Sequence, residues 1–94
     1  MRKAELIDRV AARGRLSRRD AARAVEATLA VIEDALGAGG EVAVSGFGRF
    51  HVSSRGGRPG VDPRTGEEIW IEPTSVPRFT AGAALKRAVR GQRA

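Results

Sequence analysis

Few side chains in this chain of 94 residues could do covalent chemistry. Cysteine is absent and His51 is the single histidine, so disulfides and zinc sites are excluded. His51 falls on a strand face opposite Phe50 and Val52 and reads as a lone exposed histidine with no catalytic partner. Glu67 and Glu68 could suggest paired carboxylates for acid–base work, but neighbours on a strand point to opposite faces. They read instead as solubilising groups, or as a salt link to Arg64. The glycine-rich stretch 56–60 could suggest a phosphate cradle, yet no Gly-Lys-Ser/Thr follows it. No nucleophile–base pair and no metal set is visible. Neither an enzyme, a cofactor nor a small-molecule substrate is expected.

What the chain does have is positive charge. The net charge is +6, the isoelectric point is near 11.4, and a polyanionic partner is implied. Fifteen of the seventeen basic residues are arginine, whose planar fork suits bidentate contact with phosphate. The charge is gathered at the two ends. Residues 1–23 carry eight basic against three acidic side chains, and residues 78–94 carry five against none. The middle is mildly acidic, with one basic against four acidic over 24–54 and three against four over 55–77.

The segment 55–71 cannot be core. It holds four of twelve glycines, two of four prolines and three arginines, Arg55, Arg58 and Arg64. Asp62-Pro63-Arg64-Thr65-Gly66 spells a turn, because proline fixes φ and glycine supplies φ > 0. β-like runs flank it, Phe50 to Ser53 before and Ile69 to Ile71 after. The reading is a β-hairpin arm with a proline tip, one that orders on a partner because an unpaired hairpin is marginal in water. Trp70 shares a face with Glu68 and Glu72, which favours packing at the base of the arm over base stacking.

The remaining elements hold this arm out. Leu6, Ile7, Val10 and Ala11 recur at helical spacing, and Gly14 is expected to stop this first helix in the C′ position. Ser17 is the N-cap expected for a second helix, with Asp20 completing a weak capping box. Ala22, Val25, Leu29, Ile32 and Leu36 form its packing stripe, and Gly37, Gly39 and Gly40 end it. Glu41 to Ser45 alternates as a strand, Gly46-Phe47-Gly48 turns, and Arg49 to Val52 returns. Pro73 to Pro77 is expected to interrupt any continuous strand, as an edge or kink. Thr80 is available to cap a last helix over Ala83 to Val89, with Leu85, Ala88 and Val89 inward and Lys86, Arg87 and Arg90 outward. Gly91 ends it, and residues 92–94 are expected to fray.

The fold class is therefore α+β. A helical hairpin occupies 1–40, a three-stranded antiparallel sheet 41–54 and 72–80, the arm 55–71, and a short helix 81–91, all in one domain of residues 1–94. With the arm set aside, roughly 70 residues remain to build a core, near the lower limit for self-sufficiency. Without disulfides or metals, oligomerisation is the remaining support. Leu29, Ile32, Leu36, Phe47, Phe50 and Phe79 are the expected homodimer core, and a two-fold arrangement presents two arms side by side. No apolar run approaches a membrane span, and no signal-peptide core is seen, so a cytoplasmic protein is expected.

The chain resembles the HU / integration host factor family of bacterial histone-like proteins. The likeness rests on Glu5-Leu6-Ile7, Leu16-Ser17, Gly46-Phe47-Gly48-Arg49-Phe50, Asp62-Pro63-Arg64-Thr65-Gly66-Glu67, Val76-Pro77-Arg78-Phe79 and Gly82-Ala83-Ala84-Leu85-Lys86. It runs from Lys3 to Val89. The resemblance implies an intertwined dimer that binds and bends double-stranded DNA and compacts the chromosome within the nucleoid. It implies arms that lie in the minor groove, Pro63 wedged between base pairs, and no strong sequence preference. Minor-groove architectural proteins, this family among them, offset the cost of unstacking a base step with the extra contacts that bent DNA allows. Arg55, Arg58 and Arg64 match groove or phosphate contacts, and Gly56, Gly57 and Gly60 let the backbone approach a groove closely. On the body, Lys3, Arg18 and Lys86 match positions that touch the DNA backbone.

The chain also departs from the family pattern. Val61 stands where arginine is usual and Asp62 where asparagine is usual, and Ser53 and Ala83 replace common basic residues. A greater reliance on the basic body and termini follows from these changes. Two other readings stay open at this point. One is a sequence-specific bender like integration host factor; the other is a protein-interaction module whose arm adds a strand to a partner sheet.

Overall fold

Ser17 starts the longest helix among the described residues. Its side-chain Oγ accepts the Asp20 N–H at 3.1 Å, capping a helix that runs from Arg18 to Gly37. The reciprocal half of a capping box, from the Asp20 carboxylate back to Ser17, is not formed. The computed structural model describes residues 1–91, with Arg55 described through its backbone alone. The fraying expected of residues 92–94 lies outside the described residues. Within them the elements are α1 (Lys3–Gly14), α2 (Arg18–Gly37), β1 (Val42–Val44), β2 (Gly48–Arg55), β3 (Arg58–Val61), β4 (Glu68–Ile71), β5 (Thr74–Ala81) and α3 (Ala83–Arg90).

The end of α1 differs from expectation by one position. Gly14 is its last helical residue, and Arg15 takes the left-handed conformation at φ 54°. The Leu16 N–H then closes onto the Ala11 carbonyl at 2.9 Å. What stops the helix is this closing turn, which ties the chain back before Ser17, and the arginine bears the conformational cost that glycine would have avoided. At the other helix end the reading holds: α2 stops at Gly37, and Gly39 adopts φ 81°.

α1 and α2 pack together around Ile7, Ala21 and Val25, the only buried hydrophobic side chains among the described residues. Ala21 is fully enclosed, whereas Ala22 of the expected stripe is only partly buried beside it. The face that meets α1 thus begins one residue earlier than the stripe suggested. Further along α2, Ile32 and Leu36 are half-buried and Leu29 is exposed.

β1, β2 and β5 form an antiparallel sheet in that order, with β2 in the centre. The register places Val42, Phe50 and Phe79 in one row across it. The Phe79 ring packs on Phe50 at 4.8 Å between centroids and on Phe47 at 5.6 Å. Gly48 makes this possible, since a Cβ there would meet the Phe79 ring at 2.5 Å and the Thr80 carbonyl at 2.6 Å. The cluster is still open on its outer side, with Phe47 46 % and Phe79 42 % exposed.

Four sequence expectations are corrected in this region. Of the two readings of 73–77, the edge holds and the kink does not: β5 starts just after Pro73, lies at the sheet edge and runs unbroken through Pro77 over eight residues, since an edge strand tolerates a missing ladder donor. Thr80 does not cap α3. Its hydroxyl lies 2.9 Å from His51 Nε2, so that histidine is half-buried and partnered instead of alone and exposed. α3 is entered through Gly82 and held by backbone: the Gly46 carbonyl accepts the Ala84 N–H at 3.1 Å, and the Phe47 carbonyl accepts the Gly82 N–H at 2.7 Å. Finally, Ala88 and Val89 do not turn inward; α3 leaves both exposed and only Leu85 half-buried.

Candidate nucleic-acid interface

The segment after β2 reaches away from the helices. The radius of gyration is 19.3 Å and the long dimension 60 Å, whereas a compact chain of this size has a radius of about 12 Å. The hairpin arm is built from two ladders. β2 and β5 pair from Gly48↔Ala81 out to Arg55↔Thr74, and a separate ribbon pairs β3 with β4 from Arg58↔Ile71 to Val61↔Glu68. Gly56-Gly57 and Glu72-Pro73 fall at the break, and Pro73 has no N–H to carry the ladder through.

The tip of the ribbon is internally tied. The Gly66 N–H donates to the Asp62 carbonyl at 2.7 Å, and the Asp62 N–H to the Glu67 carbonyl at 2.9 Å. Asp62 Oδ1 accepts the Arg64 N–H at 2.9 Å, and Thr65 Oγ1 accepts the Glu67 N–H at 3.2 Å. Gly66 supplies the positive φ, 75°, that closes the turn. Pro63 is thereby fixed at the exposed apex with Arg64 beside it. Of the two readings of Glu67 and Glu68, the salt link to Arg64 is not formed, and both side chains are exposed as the solubilising reading has them.

Strand alternation gives the ribbon two different faces. Arg58, Gly60, Ile69 and Ile71 lie on one, and Pro59, Val61, Glu68 and Trp70 on the other. Of the three arm glycines, Gly56 has open space beside it, whereas Gly57 and Gly60 do not present bare backbone as expected. A Cβ at Gly60 would meet Ile71 Cδ1 at 2.6 Å, and the Trp70 indole fills the space a Cβ at Gly57 would take. Each of these glycines accommodates the chain's own bulky residue. Trp70 nevertheless stays 59 % exposed, so packing at the arm base does not bury it.

On the body, Lys3 and Arg18 are exposed but engaged. Lys3 Nζ lies 2.7 Å from Glu26, and Arg18 Nε 2.7 Å from Asp8. Arg9 pairs with Glu5 and Arg49 with Glu41. Lys86 is exposed on α3 and makes no ion pair with a described residue. The structure brings Arg58, Pro63 and Arg64 together on one ribbon, and places the Arg55 backbone at the end of β2. Lys3 sits at the start of α1, Arg18 at the start of α2 and Lys86 on α3. The sequence reading overlooked Asp62 and Thr65 as turn-makers. The signal was present, since an Asp two residues before an N–H donor in a Pro/Gly turn is an Asx-turn pattern.

Known proteins share this geometry. The profile of the family described as bacterial DNA-binding protein matches residues 1–90. The chain is 48 % identical over 89 residues to DNA-binding protein HU-beta of Serratia marcescens, covering 95 % of this chain and 99 % of that one. It is 47 % identical over 92 residues to DNA-binding protein HU 1 of Bacillus subtilis, covering 98 % and 100 %. Among solved structures, an Anabaena HU–DNA cocrystal structure superposes with a TM-score of 0.81 at 35 % identity, covering 98 % of this chain and 100 % of that one. HU from Thermotoga maritima gives 0.68 at 32 % identity, covering 95 % and 98 %. The chain belongs to the HU family of bacterial DNA-binding proteins.

Proposed function

We propose that this protein binds double-stranded DNA with little sequence preference and bends it as an architectural protein, without enzymatic activity. The observation that carries this reading is the projecting ribbon whose tied turn sets an exposed proline at the apex, with Arg64 next to it. A rigid apolar wedge beside arginines is the device with which minor-groove proteins unstack a base step. The protein in the Anabaena cocrystal is an HU bound to DNA, which supports the same partner here. Pro63 is the wedge in this reading. Arg55, Arg58 and Arg64 hold the arm to the groove and phosphates, while Lys3, Arg18 and Lys86 meet phosphates along the body.

The working form is a homodimer. Burying Ile7 and Val25 stabilises the fold by about 1.5–3 kcal/mol each, well short of the conformational entropy lost on ordering such a chain. Leu29, Ile32, Leu36, Phe47, Phe50 and Phe79 are the side chains a second protomer would cover. The whole of residues 1–94 acts as one DNA-binding domain in the cytoplasmic nucleoid.

The test is affinity for a doubly labelled duplex as a function of salt, with end-to-end energy transfer read in the same titration. The wild type should lose affinity with a log–log slope of about −0.9 per phosphate neutralised. Pro63→Ala should keep most of the affinity and lose the bend. Absence of binding at low salt would end the DNA reading.

A further inference from the structure

The ribbon carries an apolar strip that neither the helices nor the sheet covers. Pro59, Val61 and Trp70 share one face, and the strip runs towards Pro63 at the apex. Val61 is 62 % and Trp70 59 % exposed, although both sit on paired strands whose backbone is fixed. We propose that this strip is a DNA-contact surface in its own right: Trp70 and Val61 lie against the deoxyribose walls of the minor groove. The arm is thereby held partly by apolar contact and not by charge alone.

Three observations select this occupant. The strip is continuous with the Pro63 apex that the DNA reading already places in the groove, and the inference rests on that reading. It is also too small for a protein: one face of a ribbon of four residue pairs falls far below the roughly 800 Å² per partner that a stable protein interface needs. On duplex DNA the basic body supplies the main affinity, so a small apolar strip needs only to add to it. Third, the indole is positioned from below. Trp70 lies over Gly57, where any side chain would displace it, and is paired across the ribbon with Pro59. Its ring is thus held along the ribbon with its outer side free. Glu68, on the same face and paired with Val61, opposes approach to phosphate. The contact must therefore fall on sugar, away from the phosphate edge.

Trp70 is the single tryptophan of the chain, so the wild-type protein reports on the contact directly. Binding to a labelled duplex is followed by anisotropy while Trp70 emission and its quenching by acrylamide are recorded. On saturation with duplex, emission should move to shorter wavelength and quencher access should fall. Trp70→Ala should weaken binding by about tenfold, the low end of what burying one large apolar side chain contributes, without changing the salt slope. Trp70→Lys should steepen that slope by about one per arm in contact. Circular dichroism and a thermal melt establish that both variants fold.

Unchanged quencher access on duplex that anisotropy shows to be bound would overturn the inference and leave the DNA reading standing. Protection of Trp70 by raised protein concentration without DNA would overturn it in favour of contact between copies. Failure of anisotropy to detect any binding at low salt would remove the DNA reading itself.

Discussion

The Asp62 carboxylate accepts the backbone N–H of Arg64 at 2.9 Å, bridging the two residues on either side of Pro63. One side chain therefore does two opposed things. It fixes the apex of the arm, and it sets a negative charge beside the residue proposed to enter DNA.

Asn at this position would keep the acceptor and drop the charge. Asp62→Asn should therefore tighten duplex binding several-fold at low salt, with the difference shrinking as salt screens the carboxylate. Asp62→Ala removes charge and acceptor together. It should bend DNA less than Asp62→Asn does, as energy transfer between duplex ends will report.

Lys3 and Arg18 must exchange Glu26 and Asp8 for phosphates if they meet DNA. Both pairs are more than half exposed, and exposed pairs typically contribute about 0.2–1 kcal/mol. Glu26→Gln and Asp8→Asn should each strengthen duplex binding at fixed salt. Their thermal midpoints should fall only slightly. Weaker DNA binding in both variants would mean that the pairs orient these cations for phosphate instead of competing with it.

Gly82 is where α3 is attached. A Cβ there would lie 2.6 Å from the Gly46 carbonyl oxygen and 2.9 Å from the Phe47 carbonyl carbon, both backbone atoms that cannot swing aside. Gly82→Ala should lower unfolding free energy by about 1–3 kcal/mol, the usual cost of overpacking. Thermal or urea unfolding measures it. Gly37→Ala, where nothing lies within 4 Å, is the matched control and should leave stability nearly unchanged or slightly improved.

A fold whose own buried core is Ile7, Ala21 and Val25 should depend on its partner for stability. The unfolding midpoint should rise with protein concentration, as mass action requires of an obligate dimer. Phe79→Asp, which sets a charge in the half-exposed aromatic cluster, should abolish the cooperative transition at micromolar concentration. A midpoint independent of concentration would show that the single chain is sufficient.

Much of this molecule is written locally. Ser17 caps α2 because its hydroxyl needs only the N–H three residues on. Val25 was legible as a packing position of α2 because helical periodicity repeats within a few residues. The Pro63 apex was legible because proline and glycine impose their dihedrals wherever they stand. Even so, the sequence could not say that Arg15, not Gly14, would take the left-handed position, because either residue could close that turn.

Tertiary structure decided which distant groups meet. Thr80 could have capped a helix, but the β2–β5 register brings His51 to its hydroxyl, and the α3 N–H groups go to the Gly46 carbonyl. Pro77 could have broken a strand, but an edge position leaves its missing donor without consequence. Gly57 and Gly60 could have bared the arm's backbone, but Trp70 and Ile71 lie across them. Propensity and capping act over a few residues and can be read from spacing. Sheet register and the placing of one side chain over another join residues far apart in the chain, and only the folded backbone fixes them.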